Sequence, residues 1–235
     1  MIVSIHQPAY LPWLGYFHKL ALSDVFVVLD KTQFEKNSFI NRNKIKTAQG
    51  WMWLTVPVET AGKFKNNMLT ETKIINRVPW AKKHWKSIEL NYSKAPFFNE
   101  YADEIKEFYK KEWTYLTDLC YEMLKYFVKT LGITTTLVLS SEMKNVEGFK
   151  TDLVINICKE LGATTYISGV MGRDYLNEEK FRNENIKLVY QNYKHPRYTQ
   201  LFGKFEPYMS IIDLLFNYGP ESLNIIMATQ ETVEE

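Results

Sequence analysis

Cysteine is scarce in this chain: only Cys120 and Cys158, far apart and outside any CxxC pattern. A disulfide framework and a cysteine-based zinc site are therefore not expected, and the two thiols read as buried and reduced. No apolar run approaches the roughly 20 residues of a membrane span, and no basic-apolar-small leader opens the chain. Charge of one sign is also lacking. With 29 basic and 27 acidic residues the formal net charge is +2, which gives nucleic acid no bulk electrostatic attraction and leaves charged helix faces as solvated surface. The GxSxG elbow of serine hydrolases and the Lys-Ser/Thr pair of a phosphate-binding P-loop are both missing. Histidine, cysteine and aspartate nowhere show metal-ligand spacing within a helix, so no metal is expected. These absences describe a cytoplasmic chain that acts on small molecules.

What is present is periodic. Ile2, Val3 and Ile5 lead into His6-Gln7-Pro8, and Leu14 to Ser23 is long enough for a crossover helix. Val25 to Leu29 is a continuous apolar run ending at Asp30, as in a buried parallel strand. Together they form a β-α-β unit, right-handed in nearly every known case. Trp51 to Val58 alternates and reads as a further strand. From Pro79 to Leu131 the spacing turns helical without interruption, which predicts a helical insertion over 79–132. Strand character returns at Thr134 to Leu139, Thr164 to Ser168 and Ile186 to Tyr190, with helices at Lys150 to Leu161 and Met209 to Phe216. The expected fold is α/β, a mostly parallel, open twisted sheet flanked by helices. Residues 1–78 and 133–228 would form one domain around the insertion, with 229–235 a frayed tail.

Four polar clusters follow expected strand ends. The first holds His6, Gln7, Tyr10, Trp13 and His18; two histidines after a first strand also suggest a nucleotidyltransferase using Mg²⁺ and ATP or another nucleoside triphosphate. The second combines Asp30 and Gln33 with Asn41, Arg42 and Asn43, whose amide and cationic donors suit phosphate or carboxylate groups. The third is Ser168, Gly169, Arg173 and Asp174, a small turn able to cradle an anion; the fourth is His195 and Arg197. Each also has a plain structural reading: a capped strand end, a solvated loop, a glycine turn, a turn-supporting histidine. In a parallel sheet such ends share one edge, so distant motifs can meet in one pocket. On the enzyme reading His6 or His195 is the base that deprotonates an attacking amine. Arg42 and Arg173 then hold a diphosphate or carboxylate, and Asp30 orients a histidine or hydroxyl. That reading requires His6, Arg42, Arg173 and His195 on one side of the domain.

Taken together, the strings Ile5-His6-Gln7-Pro8, Tyr10 to Lys19, Phe34 with Lys36 to Asn43, Thr55-Val56-Pro57-Val58, Ser168-Gly169 with Gly172 to Tyr175, His195-Pro196 and Asp213 to Asn217 resemble the WbqC-like protein family. The likeness spans roughly Ile2 to Gly219. One departure is Val170-Met171, where the family often has a second glycine or proline. The resemblance implies a bacterial cytosolic protein of surface-polysaccharide (O-antigen) biosynthesis. It further suggests acyl or aminoacyl transfer to an amino sugar or nucleotide-linked sugar, from an activated donor or an acyl-carrier protein. A non-catalytic ligand-binding or scaffold protein remains the third alternative.

Overall fold

A computed structural model describes residues 1–60 and 67–228 of the chain. Five short strands, β1 (Ile2–His6), β2 (Val25–Val28), β5 (Thr136–Leu139), β6 (Thr165–Ser168) and β7 (Lys187–Tyr190), form one sheet in the order β5-β2-β1-β6-β7. Every neighbouring pair is parallel. The chain runs outward from β1 to one side through β2 and β5, then returns to the other side through β6 and β7. A doubly wound sheet of this kind has its topological switch point between β1 and β6.

Strand alternation explains the two layers. Phe26 and Val28 face α1 (Leu14–Ala21) and α4 (Leu116–Thr130), with Leu14, Phe17, Leu20 and Phe127 fully buried between them. Val3, Ile5, Val27 and Tyr166 face the opposite way, onto α5 (Thr151–Leu161) and α6 (Glu178–Asn183). Helix α5 stops at Gly162, whose φ of 69° supplies the left-handed turn that a side chain would resist.

Two features differ from expectation. Trp51 to Val58 does not extend the main sheet: β4 (Gly50–Thr55) pairs antiparallel with β3 (Arg42–Thr47) in a separate hairpin. Asn41 to Lys44 therefore lies at and within a strand rather than in a loop, because Asn43 and Ile45 point into the core while Arg42 and Lys44 point out. The helical stretch, α2 (Trp80–Tyr92), α3 (Phe98–Lys110) and α4, is where the spacing predicts it, yet it shares its core with the first layer: Tyr10 hydrogen-bonds His84 of α2 and Tyr109 of α3 at 2.9 and 2.7 Å. The tail 229–235 lies outside the described residues.

Helices α7 (Ile211–Tyr218) and α8 (Ser222–Met227) close the chain, after a strap of irregular backbone over 191–210. The strap is tied down by Asp213, a fully buried carboxylate that accepts hydrogen bonds from Tyr92, Tyr198 and Gln200 at 2.8–2.9 Å. Burial pushes this carboxyl above its usual proton affinity, while its three donors and the nearby Lys46 cation oppose that shift. Asp213→Ala would remove the acceptor of two buried phenol hydroxyls and one amide N–H. The expected loss is about 3 kcal/mol in urea-induced unfolding. A loss below about 1 kcal/mol would show that the hub does not hold the strap.

Candidate functional site at the sheet edge

The carboxyl edge at the switch point is built by the β1–α1 crossover on one wall. His6 ends β1 beside Val28 in register, so its side chain rises toward α1, where the ring packs 4.7 Å from Tyr16. Its Nδ1 lies 3.0 Å from the Gln7 carbonyl. A carbonyl only accepts, so Nδ1 holds the ring proton and Nε2 is left as an acceptor. Burial, reinforced by the Lys19 cation and opposed by the Gln7 bond, lowers His6 to about 3. The imidazole is therefore neutral across the physiological range.

Lys19 is the group that sequence reasoning missed. It sits three residues after Tyr16 on α1, is 3% exposed, and donates to the Ile5 carbonyl at 2.9 Å. Desolvation lowers its ammonium to about 7. The available signal was local: Leu14 to Ala21 is an apolar helix whose only basic residues are His18 and Lys19. A lysine flanked by buried positions has no route to water.

His18, on another side of α1, packs 4.8 Å from the Tyr193 ring and receives Gln191, whose Nε2 also donates to the Gly15 carbonyl. Trp13 stands edge-on to Tyr193 and Tyr208 at 5.6 and 5.8 Å. The strap thus lies against the N-terminal string, and Ile211 N–H donates to the Pro12 carbonyl at 2.9 Å.

The second wall faces the other way. The parallel register carries Ser168 and Gly169 alongside the end of β1, but Ser168 pairs with Tyr190, which is buried on the α5 side. Arg173 lies over the Tyr190 ring at 4.4 Å. His6 and Arg173 therefore leave opposite faces of the sheet at the same edge, correcting the expectation of a single wall. Such divergence is what opens a crevice at a switch point, because the two connections turn away from each other.

Other expected site residues are committed locally. Asp30 accepts from the Ser140 hydroxyl and from the backbone and hydroxyl of Ser141 at 2.6–2.8 Å, closing the β2–β5 end. Asn41 and Asn43 donate to the carbonyls of Val56 and Leu11, fastening the hairpin and the N-terminal string. Tyr10 is buried in the helical layer; Gln33 bridges to Met68. Arg42 donates to the Asn37 carbonyl and lies 4.3 Å over Trp53 on the hairpin. Arg197 is exposed over Phe205, and Asp174 is exposed at the end of a short 3-10 helix over Val170–Asp174. In His195, Nδ1 donates to the Pro196 carbonyl at 2.8 Å and Nε2 accepts from the Tyr208 N–H at 3.1 Å, so backbone groups occupy both nitrogens.

Both cysteines are buried and free, with proton affinities raised by desolvation. Among the described residues no three of His, Cys, Asp or Glu gather as a metal site. No helix there is long and apolar enough to cross a membrane. A concavity of about 540 Å³ is lined by Val58, Glu59, Thr60 and Ile74 to Arg77, none of them part of this edge.

Fold and edge together define a doubly wound α/β protein whose switch point lies between β1 and β6, with His6 ending one strand and Ser168 the other. The chain belongs to the WbqC-like protein family, whose model matches residues 7–225. It is also 41% identical, over 222 residues, to the uncharacterized protein Rv1507c of Mycobacterium tuberculosis (strain ATCC 25618 / H37Rv), covering 94% of this chain and 95% of that one. No solved structure matches it.

The lowered lysine predicts a pH effect whose sign follows from linkage. Unfolded Lys19 binds its proton below about 10.5 while the folded amine holds it only below about 7. Stability from this residue is therefore complete above 10.5 and is lost as pH falls toward 7. Urea unfolding should show stability rising between pH 7 and 9.5, and Lys19→Met should flatten that rise. An unchanged slope in the variant would mean that Lys19 is protonated in the folded state across this window.

Proposed function

We propose that this protein is a cytoplasmic group transferase of bacterial surface-polysaccharide (O-antigen) biosynthesis. In this reading it carries an acyl or aminoacyl group from an activated donor, such as an acyl thioester or an acyl-carrier protein, to an amino sugar or nucleotide-linked sugar. One observation supports this above the others: a neutral His6 at the switch point whose Nδ1 is engaged by Gln7, leaving Nε2 to accept.

The chemistry follows from that polarity. The sugar amine donates a hydrogen bond to His6 Nε2 and attacks the acyl carbon. A C–N bond forms, the bond to the leaving thiolate breaks, and the amine's proton, hydrogen-bonded to His6 Nε2 as the amine is aligned, passes to the thiolate. Lys19, beside His6 and changing charge near neutrality, sets the field in which that proton moves. Asp30 and His195, engaged by Ser140/Ser141 and by backbone, take structural parts in this scheme. Gln7 flanks His6, Trp13 and His18 border the same wall, and Ser168 and Gly169 end the neighbouring strand; Arg173, which leaves the other face of the sheet, and Arg42, held on the hairpin, take no part in this scheme.

Transfer assayed with acyl-thioester donors and nucleotide-linked amino sugars tests the reading. His6→Ala should lower kcat/KM by about 100-fold or more. Lys19→Met should reshape the pH profile near 7. ATP turnover with pyrophosphate release would instead favour nucleotidyl transfer, and tight sugar binding unaffected by His6→Ala would favour a scaffold.

A further inference from the structure

The buried side chain of Gln191 settles a question of proton placement. Its Nε2 lies 2.9 Å from the Gly15 carbonyl and 2.9 Å from His18 Nδ1. Because the Gly15 oxygen can only accept, the end of the amide facing α1 must be its nitrogen, and turning the group over would set two oxygens together. An amide N–H can only donate, so His18 Nδ1 must accept. The neutral ring then carries its proton on Nε2. His6 has the reverse arrangement, with its proton on Nδ1 toward Gln7. Two histidines from one strand–helix crossover are thus held in opposite tautomers.

The remaining histidines are already engaged within the protein. The nitrogens of His195 are both bonded to backbone. His84 lies in the helical layer, bonded to Tyr10 and to the backbone at Thr55. His18 differs in that a glutamine brought from the end of β7, 173 residues along the chain, sets its proton while the Tyr193 ring covers it at 4.8 Å.

We propose that Gln191 is a positioning residue that locks His18 as a hydrogen-bond donor through Nε2–H, and that His18 thereby binds an acceptor oxygen of the substrate, carbonyl or phosphoryl. Only the ligand's part in transfer rests on the function proposed above. The proton's location on His18 does not.

Long-range ¹H–¹⁵N correlation spectra of the histidine rings in the full chain test this, with His18→Asn assigning the signals. The expected pattern for His18 is an unprotonated Nδ1 and a protonated Nε2. In Gln191→Glu the carboxylate can only accept, so the His18 proton should move to Nδ1, or the ring should become doubly protonated. Gln191→Met, which cannot charge the site, should yield a mixture of tautomers. A wild-type Nδ1–H, or an unchanged pattern in both variants, would overturn the proposal; thermal unfolding of each variant confirms a folded chain.

Two probes separate the acceptor's source. S-acetylpantetheine supplies a thioester carbonyl without phosphate, and inorganic pyrophosphate supplies phosphoryl oxygens without a carbonyl. Movement of the His18 Nε2–H signal with either supports the donor role and names the source; no movement with either overturns it. Where transfer is measurable, Gln191→Met should raise the donor KM by about tenfold, the equivalent of one lost hydrogen bond of about 1.4 kcal/mol. Absence of transfer in the wild-type protein would sink the group-transfer reading while the ring spectra still judged this one.

Discussion

Parallel pairing of β1 on both of its edges is the constraint on which the rest of the molecule depends. β2 pairs with Val3 to His6 on one side and β6 with Ile2 to Ser4 on the other, so the strand is held from both edges and its side chains go alternately to two helical layers. Buried in this way, polar groups near the strand need partners inside the protein. Ser4 finds Ser23 at 2.7 Å, Lys19 finds the Ile5 carbonyl, and His6 finds Gln7. The strand also ends in one place, and both windings of the sheet diverge from there. Fold stability and the candidate crevice come from the same arrangement.

The price of such an edge is charge. Lys19 and His6 are both moved toward their neutral forms by desolvation, and His18 is lowered to about 4 by the same cause. Neutral imidazoles have definite tautomers, which makes the edge directional: each ring donates from one nitrogen and accepts at the other. The strap over 191–210, fastened through Asp213 and the rings of Trp13, Tyr193 and Tyr208, brings Gln191 and Tyr193 to this edge. The aromatic residues spread along the sequence act here mainly as seams between segments.

Much of the architecture was legible because it rests on local pattern. The apolar run Val25 to Leu29, the β-branched and aromatic string Thr165 to Ser168, helical spacing over Trp80 to Thr130 and glycine after α5 each point to a definite element type, and their order implies a parallel sheet. The hairpin was less legible, since Arg42 to Thr47 alternates polar residues with one another: Asn43 and Lys46 are buried through hydrogen bonds rather than through apolar character. The site was partly legible. His6 and Gly169 could be placed at strand ends from sequence, but Lys19 was not singled out, and Asp30 and His195 read as candidate catalytic groups because their partners are backbone atoms and serines that pattern does not reveal.

By itself, the sequence determined the strands of the main sheet and the longer helices, that they wind as an α/β sheet, and that several polar groups stand at strand ends. Hydrophobic periodicity and turn chemistry act over a few residues, so they can be read along the chain. Only the tertiary structure decided which of those groups keep an unused valence. Gln191 reaches His18 across 173 residues and Asp30 reaches Ser140 across 110, and such pairings fix proton positions and proton affinities. Burial and hydrogen-bond partnership depend on every layer packed around a group, and that is information no single stretch of sequence contains.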